Sequence, residues 1–148
     1  MSLKTRFPTL LLIASAAVLA SILPAAGSDD EATRGELLTE GASSYNLYCQ
    51  SCHGPRGQGD GSVAELLKIA PADLTTISAR RDGEFPEEEI YSIVDGRKDV
   101  RAHGSDMPLW GDAFQRTEET EDEAVIRRKI DGLVVYLKSL QEPAAAAE

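Results

Sequence analysis

Positive charge is scarce in this chain: 15 Lys and Arg stand against 25 Asp and Glu, for a formal net charge of −10. A surface this acidic repels phosphates and argues against nucleic acid as a partner. It suits a soluble protein that meets basic patches on other proteins, although solubility alone asks for the same charge. No run of alternating apolar and polar residues and no internal repeat is present, so strands are not expected. No apolar stretch reaches the roughly 20 residues that comfortably span a bilayer. Glycines cluster at 54, 57, 59 and 61, but no strand precedes them and no Gly-Lys-Ser/Thr follows, which excludes a phosphate cradle. Cysteine is limited to Cys49 and Cys52, and beyond Met1 there is one methionine, Met107.

The N-terminus sets what counts as the working protein. Lys4 and Arg6 form a short positive region, residues 10–23 are apolar, and Pro24, Ala25, Ala26 and Gly27 follow. That is the layout of a secretory signal peptide with cleavage after Gly27. An uncleaved membrane anchor is the alternative, and the shortness of the apolar run argues against it. Removing residues 1–27 takes Lys4 and Arg6 away, so the net charge of −10 becomes −12. The expected organisation is a signal peptide (1–27), a flexible acidic lead-in (28–35), one domain (36–141) and a disordered tail (142–148). One domain of this length can enclose a single small core.

Helical periodicity dominates that domain. Residues 36–49 predict a helix with Leu37, Leu38, Ala42, Tyr45 and Tyr48 along one mostly apolar side. Residues 54–61 predict a loop, and 62–70 a short helix stopped by Pro71. Residues 86–95 predict a helix opened by Pro86 and three glutamates, closed by Gly96, and buried through Ile90, Ile93 and Val94. Residues 97–114 show no sustained period and predict an ordered loop. The last helix is the clearest: Thr120 and Glu123 have capping-box spacing, and Ile126, Ile130, Leu133, Val134, Leu137 and Leu140 recur at helical intervals. The fold class is all-α with long loops.

Two cysteines in an exported chain ordinarily suggest one disulfide, but the spacing here argues otherwise. Cys49-Gln50-Ser51-Cys52-His53 is the C-x-x-C-H pattern of covalent c-type haem attachment. Each sulfur adds to one vinyl group, two intervening residues let the chain arch between them, and the next residue supplies an imidazole to the iron. A thioredoxin-like C-x-x-C needs a βαβ setting, and a zinc site needs about four suitably spaced ligands; neither context is present. A large, flat, apolar haem also explains how long loops can wrap a core in so short a chain.

With this motif in place, residues 36–141 resemble the class I c-type cytochromes, small single-haem electron carriers. Gly41 and Tyr45 match the family's small and aromatic pair before the haem motif, and Leu133 and Tyr136 match the pair on its C-terminal helix. The resemblance implies that these two helices cross at close range. It also implies a class I cytochrome c fold, helices and long loops wrapped around one covalent haem. Met107, in Asp106-Met107-Pro108-Leu109-Trp110, matches the family's Met-Pro segment and is implied as the axial ligand opposite His53. His103 is the rival ligand, its ordinary alternative being a loop residue at the haem edge. Pro71 occupies a place like that of the family's proline whose carbonyl accepts a hydrogen bond from the proximal imidazole. Arg97 and Trp110 are candidates for the haem propionates, with salt-bridge and core roles as the alternatives. The four loop glycines are expected to let the backbone lie close to the haem.

The function implied is periplasmic electron transfer through one haem c, cycling between ferrous and ferric iron, with no catalytic residues. Cys49 and Cys52 form the thioethers, and His53 and Met107 are the axial ligands of the iron. Partners are redox proteins presenting basic patches; contact with a membrane is expected only if residues 1–27 stay attached. One alternative is a cytochrome subunit of a multisubunit periplasmic dehydrogenase or oxidase. Another is a haem sensor with a labile sixth ligand.

Overall fold

The computed structural model describes residues 28–98 and 107–142, and no strand occurs among them. The expected signal peptide, the tail beyond residue 142 and His103 lie outside the described residues. Among the described residues five α-helices follow one another: α1 (Ser28–Tyr48), α2 (Gln50–His53), α3 (Glu87–Asp95), α4 (Trp110–Thr117) and α5 (Glu123–Ser139). Short 3-10 turns occupy Ala64–Leu66 and Ala79–Arg81. The all-α reading of the sequence is borne out.

α1 and α5 form the frame. They touch backbone to backbone at Gly41 and Gly132, where a Cβ added to Gly41 would run into the carbonyl of Gly132. A Cβ on Gly132 would in turn lie 3.1 Å from the carbonyl oxygen of Leu37. On one side of this crossing the rings of Tyr45 and Tyr136 pack with centroids 5.1 Å apart. On the solvent side Arg128 pairs with Glu36 and Glu40, exposed contacts that contribute little stability. Below the crossing α5 buries Ile126, Ile130, Leu133, Val134 and Leu137. Ile90 and Val94 of α3, Phe114 of α4 and Ile77 complete the core.

α3 follows its sequence signals closely. Glu87, Glu88 and Glu89 occupy the first turn, where the helix dipole favours negative charge. Gly96 ends it at φ 70°, its amide donating to the Ser92 carbonyl, a left-handed cap that glycine enters without strain.

Four boundaries differ from the sequence reading. α1 begins at Ser28, so the segment expected as an acidic lead-in is helical. Residues 30–36 are exposed, and a helix with no buried face leaves no apolar period to read. The helix expected over 62–70 is reduced to the turn Ala64–Leu66. There the amides of Gly61 and Val63 donate to the carbonyls of Cys52 and Ser51, which holds the chain away from helical geometry. α4 occupies part of the expected loop 97–114; it is short, with Trp110 and Phe114 as its large apolar residues, and so has no visible period. Finally, α5 is capped by Asp122, whose side chain accepts from the Ala124 amide. Thr120 instead caps the preceding turn by accepting from Asp122 N.

The two glycines of α1 should respond oppositely to alanine. Gly41→Ala forces the helices apart and should destabilise the protein by about 3 kcal/mol, as overpacking does. Gly35 has open space around it, so Gly35→Ala should stabilise by about 0.5–1 kcal/mol through helix propensity. Denaturant midpoints measure both, and a neutral Gly35→Ala would argue against helix at residues 28–35.

Candidate functional site

The motif at residues 49–53 forms one helical turn set at the end of α1. The amide of Cys49 still donates to the Tyr45 carbonyl at 2.9 Å, continuing α1 to its last turn. Cys49 then caps α2, and its carbonyl accepts from the amides of Cys52 at 3.2 Å and His53 at 2.9 Å. Cys49, Cys52 and His53 therefore occupy positions i, i+3 and i+4, which lie on one face of a helix. All three are half-buried, and both cysteines are free thiols.

The imidazole is oriented by a backbone carbonyl. His53 Nδ1 lies 3.0 Å from the oxygen of Ala72. A carbonyl can only accept, so Nδ1 carries the proton and the Nε2 lone pair is left for a ligand. The resemblance to the cytochromes implies Pro71 for this role; the acceptor is the next residue. Pro71 lies instead against Gly59, where an added Cβ would stand 2.5 Å from the Pro71 oxygen.

Ala72 is held from several sides. Asp73 Oδ1 accepts from the Thr75 amide at 2.8 Å and the Thr75 hydroxyl at 2.6 Å, a local turn of the type aspartate favours. The Leu74 amide donates to the Gly57 carbonyl. At the end of α5, Gln141 donates from Nε2 to the Leu74 carbonyl at 2.8 Å and accepts from the Ser78 amide at 2.9 Å. The Glu142 amide donates to the Thr75 carbonyl. Neither Ala72 nor Gln141 is legible as a site residue in the sequence, because each acts through a contact made across the fold.

The glycine loop closes on the motif itself. Gly59 and Gly61 donate to the carbonyls of His53 and Cys52, which a four-residue helix leaves free. A Cβ at Gly61 would overlap the backbone of Ser51 and Cys52, and one at Gly54 would strike Asp60. These glycines let the loop lie against α2. The fully buried Tyr45 hydroxyl donates to the Gly54 carbonyl at 2.6 Å, tying α1 to the end of the motif.

Burial governs the electrostatics. The Cys49 thiol is pushed up to about 12, first by burial and then by the neighbouring Cys52. That is the reverse of the low-pKa thiolate a redox or nucleophilic cysteine needs. The His53 imidazole is shifted down by burial, against the opposing effect of its bond to Ala72, which favours the neutral form able to donate a lone pair. Among the described residues no three His, Cys, Asp or Glu side chains gather as a metal cage.

Met107 is half-buried and leads through Pro108 and Leu109 into α4. Arg97 takes the salt-bridge alternative, with Nε 2.5 Å from Asp95 and its two terminal nitrogens 2.8 and 2.9 Å from the Glu123 carboxylate. Trp110 takes the core alternative: it stacks on Phe114 at 5.6 Å and meets Tyr48 at 5.4 Å.

No protein-family model matches the chain, and no curated protein or solved structure matches it either. The geometry of the site has to carry its own interpretation.

Tyr45→Phe tests the tie between α1 and the motif. It leaves the buried Gly54 carbonyl without its donor and should destabilise the protein by about 1–3 kcal/mol. Equilibrium unfolding measures this, and an unchanged midpoint would show that the bond has no net effect.

Proposed function

We propose that this chain is an electron-transfer protein of the class I cytochrome c type, carrying one covalent haem c. The observation that carries the reading is the single helical turn that sets two free thiols and an imidazole at i, i+3 and i+4, with Nδ1 committed to Ala72. The donor set fits a haem: two thiols for the two vinyl groups and one neutral nitrogen ligand. The close crossing of α1 and α5 at Gly41, beside Tyr45 and Tyr136, supports the same family resemblance.

Cys49 and Cys52 would anchor the group, one thiol for each of its two vinyl groups. His53 Nε2 would ligate the iron while the Ala72 carbonyl fixes the ring, and such outer bonds raise ligand basicity. Met107 would supply a soft thioether as a second ligand of the iron. The haem, when bound, takes up and releases one electron at its iron; the protein's part is to hold both ligands through the change and to exclude water. No residue is assigned a catalytic role. The sequence of residues 1–27 supports export to the periplasm, and the acidic surface supports redox partners with basic patches.

A second reading is a cytochrome subunit of a periplasmic dehydrogenase or oxidase, in which the partner would cover the exposed side chains of Leu66 and Ile69, at 82% and 63% accessible. A partner that stays bound at low concentration and high salt selects it over the free shuttle.

Purified protein should keep its haem under denaturing conditions, with a mass equal to the mature chain plus one haem. Cys49→Ala/Cys52→Ala should lose it on denaturation. The ferric protein should show a thioether charge-transfer band and its ferrous form should not bind carbon monoxide quickly; Met107→Ala should abolish the band and admit carbon monoxide. Fast binding by the unaltered protein would point to the sensor alternative, and a Met107→Ala spectrum identical to wild type would overturn the ligand assignment.

A further inference from the structure

We propose that the ion network of Asp95, Arg97 and Glu123 is a latch on the segment carrying Met107, which makes Arg97 a positioning residue for the sixth iron ligand. This inference depends on the His53/Met107 reading above and adds the means by which the thioether is held.

The stretch between Met107 and α4 is gripped at two points. Gly96, just past α3, lies against Leu109: a Cβ there would stand 2.8 Å from Leu109 Cδ2 and 3.3 Å from its Cα. Gly111, buried in the first turn of α4, is pressed onto the ion network itself. A Cβ at Gly111 would strike Asp95 Oδ1 and Arg97 Nε, with Arg97 Cδ 2.8 Å away. The network thus occupies the space that a side chain at residue 111 would need.

Arg97 engages its whole guanidinium. Nε donates to Asp95, which is 5% exposed at the end of α3, and the two terminal nitrogens donate to both oxygens of Glu123 at the start of α5. Gln115 of α4 adds a bond from Nε2 to Glu123 Oε1 at 3.2 Å. The planar fork thus joins α3 to α5, and α4 meets it through Gly111 packed onto it and through the bond of Gln115 to Glu123. Ion pairs of this kind contribute little net stability, but a bidentate fork fixes position and angle. A thioether is an uncharged, weak ligand, so its hold on iron depends on how tightly the chain confines it.

The test uses the full haem-loaded protein and reads the affinity of the ferric form for added imidazole, the thioether charge-transfer band and the unfolding midpoint. Arg97→Ala should bind imidazole about tenfold more tightly than wild type, the lower end of effects seen when outer-shell partners are removed. Arg97→Lys, which keeps the charge but loses the fork, should resemble Arg97→Ala. Glu123→Gln should shift affinity the same way by less; its side chain is 64% exposed, so it serves if the arginine variants do not fold. In a Met107→Ala background Arg97→Ala should add nothing further, because the latch acts only through the thioether.

A lowered midpoint with wild-type imidazole affinity in all three variants overturns the latch and leaves Arg97 merely structural. A full tenfold effect persisting in the Met107→Ala background also overturns it. If Met107→Ala by itself changes neither the band nor the affinity, the ligand assignment has failed and the latch falls with it.

Discussion

The contact on which the rest of the described structure depends is the backbone touch of α1 and α5 at Gly41 and Gly132. Each helix delivers one half of the candidate site. The last turn of α1 runs directly into Cys49 and the motif, and its Tyr45 hydroxyl pins the motif's far end at Gly54. The far end of α5 carries Gln141, which fixes the turn presenting the Ala72 carbonyl. His53 is therefore positioned from both helices at once.

A second constraint follows from the shortness of α2. Four helical residues leave carbonyls that the helix cannot satisfy, and buried carbonyls need donors. The loop over residues 54–61 supplies them from Gly59 and Gly61. Its glycines are needed for that approach, since side chains at Gly54 or Gly61 would collide with Asp60 or with the backbone of α2. The loop thus completes the motif and binds it to the rest of the fold. The same logic appears on the other side of the molecule, where Gly96 and Gly111 admit Leu109 and the Arg97 network.

Residues whose roles are local were legible in the sequence. The helix Glu87–Asp95 was placed within one residue, because proline, three glutamates, an i, i+3, i+4 apolar set and a glycine cap all act within a few positions. The body of α5 was legible for the same reason, whereas its start was shifted by the choice between two neighbouring caps, Thr120 and Asp122. The first turns of α1 and the whole of α4 were missed: one is exposed on every side and the other is too short to show a period. Pro71 was read for Ala72 because a one-residue offset along an irregular loop leaves no trace in composition or spacing.

The sequence by itself determined the chemistry at residues 49–53. A C-x-x-C-H segment fixes which side chains are available and how far apart along the chain they lie, and one helical turn suffices to bring them to one face. It also determined the all-α class, since apolar residues recur at helical intervals wherever a face is buried. Only the tertiary structure decided which carbonyl holds His53, that Gly132 is the partner of Gly41, and that Arg97 bridges Asp95 and Glu123. Apart from Arg97 and its near neighbour Asp95, those pairings join residues from 19 positions apart, as for His53 and Ala72, to opposite ends of the domain. They arise from how helices pack against one another, and a list of residues does not contain that information.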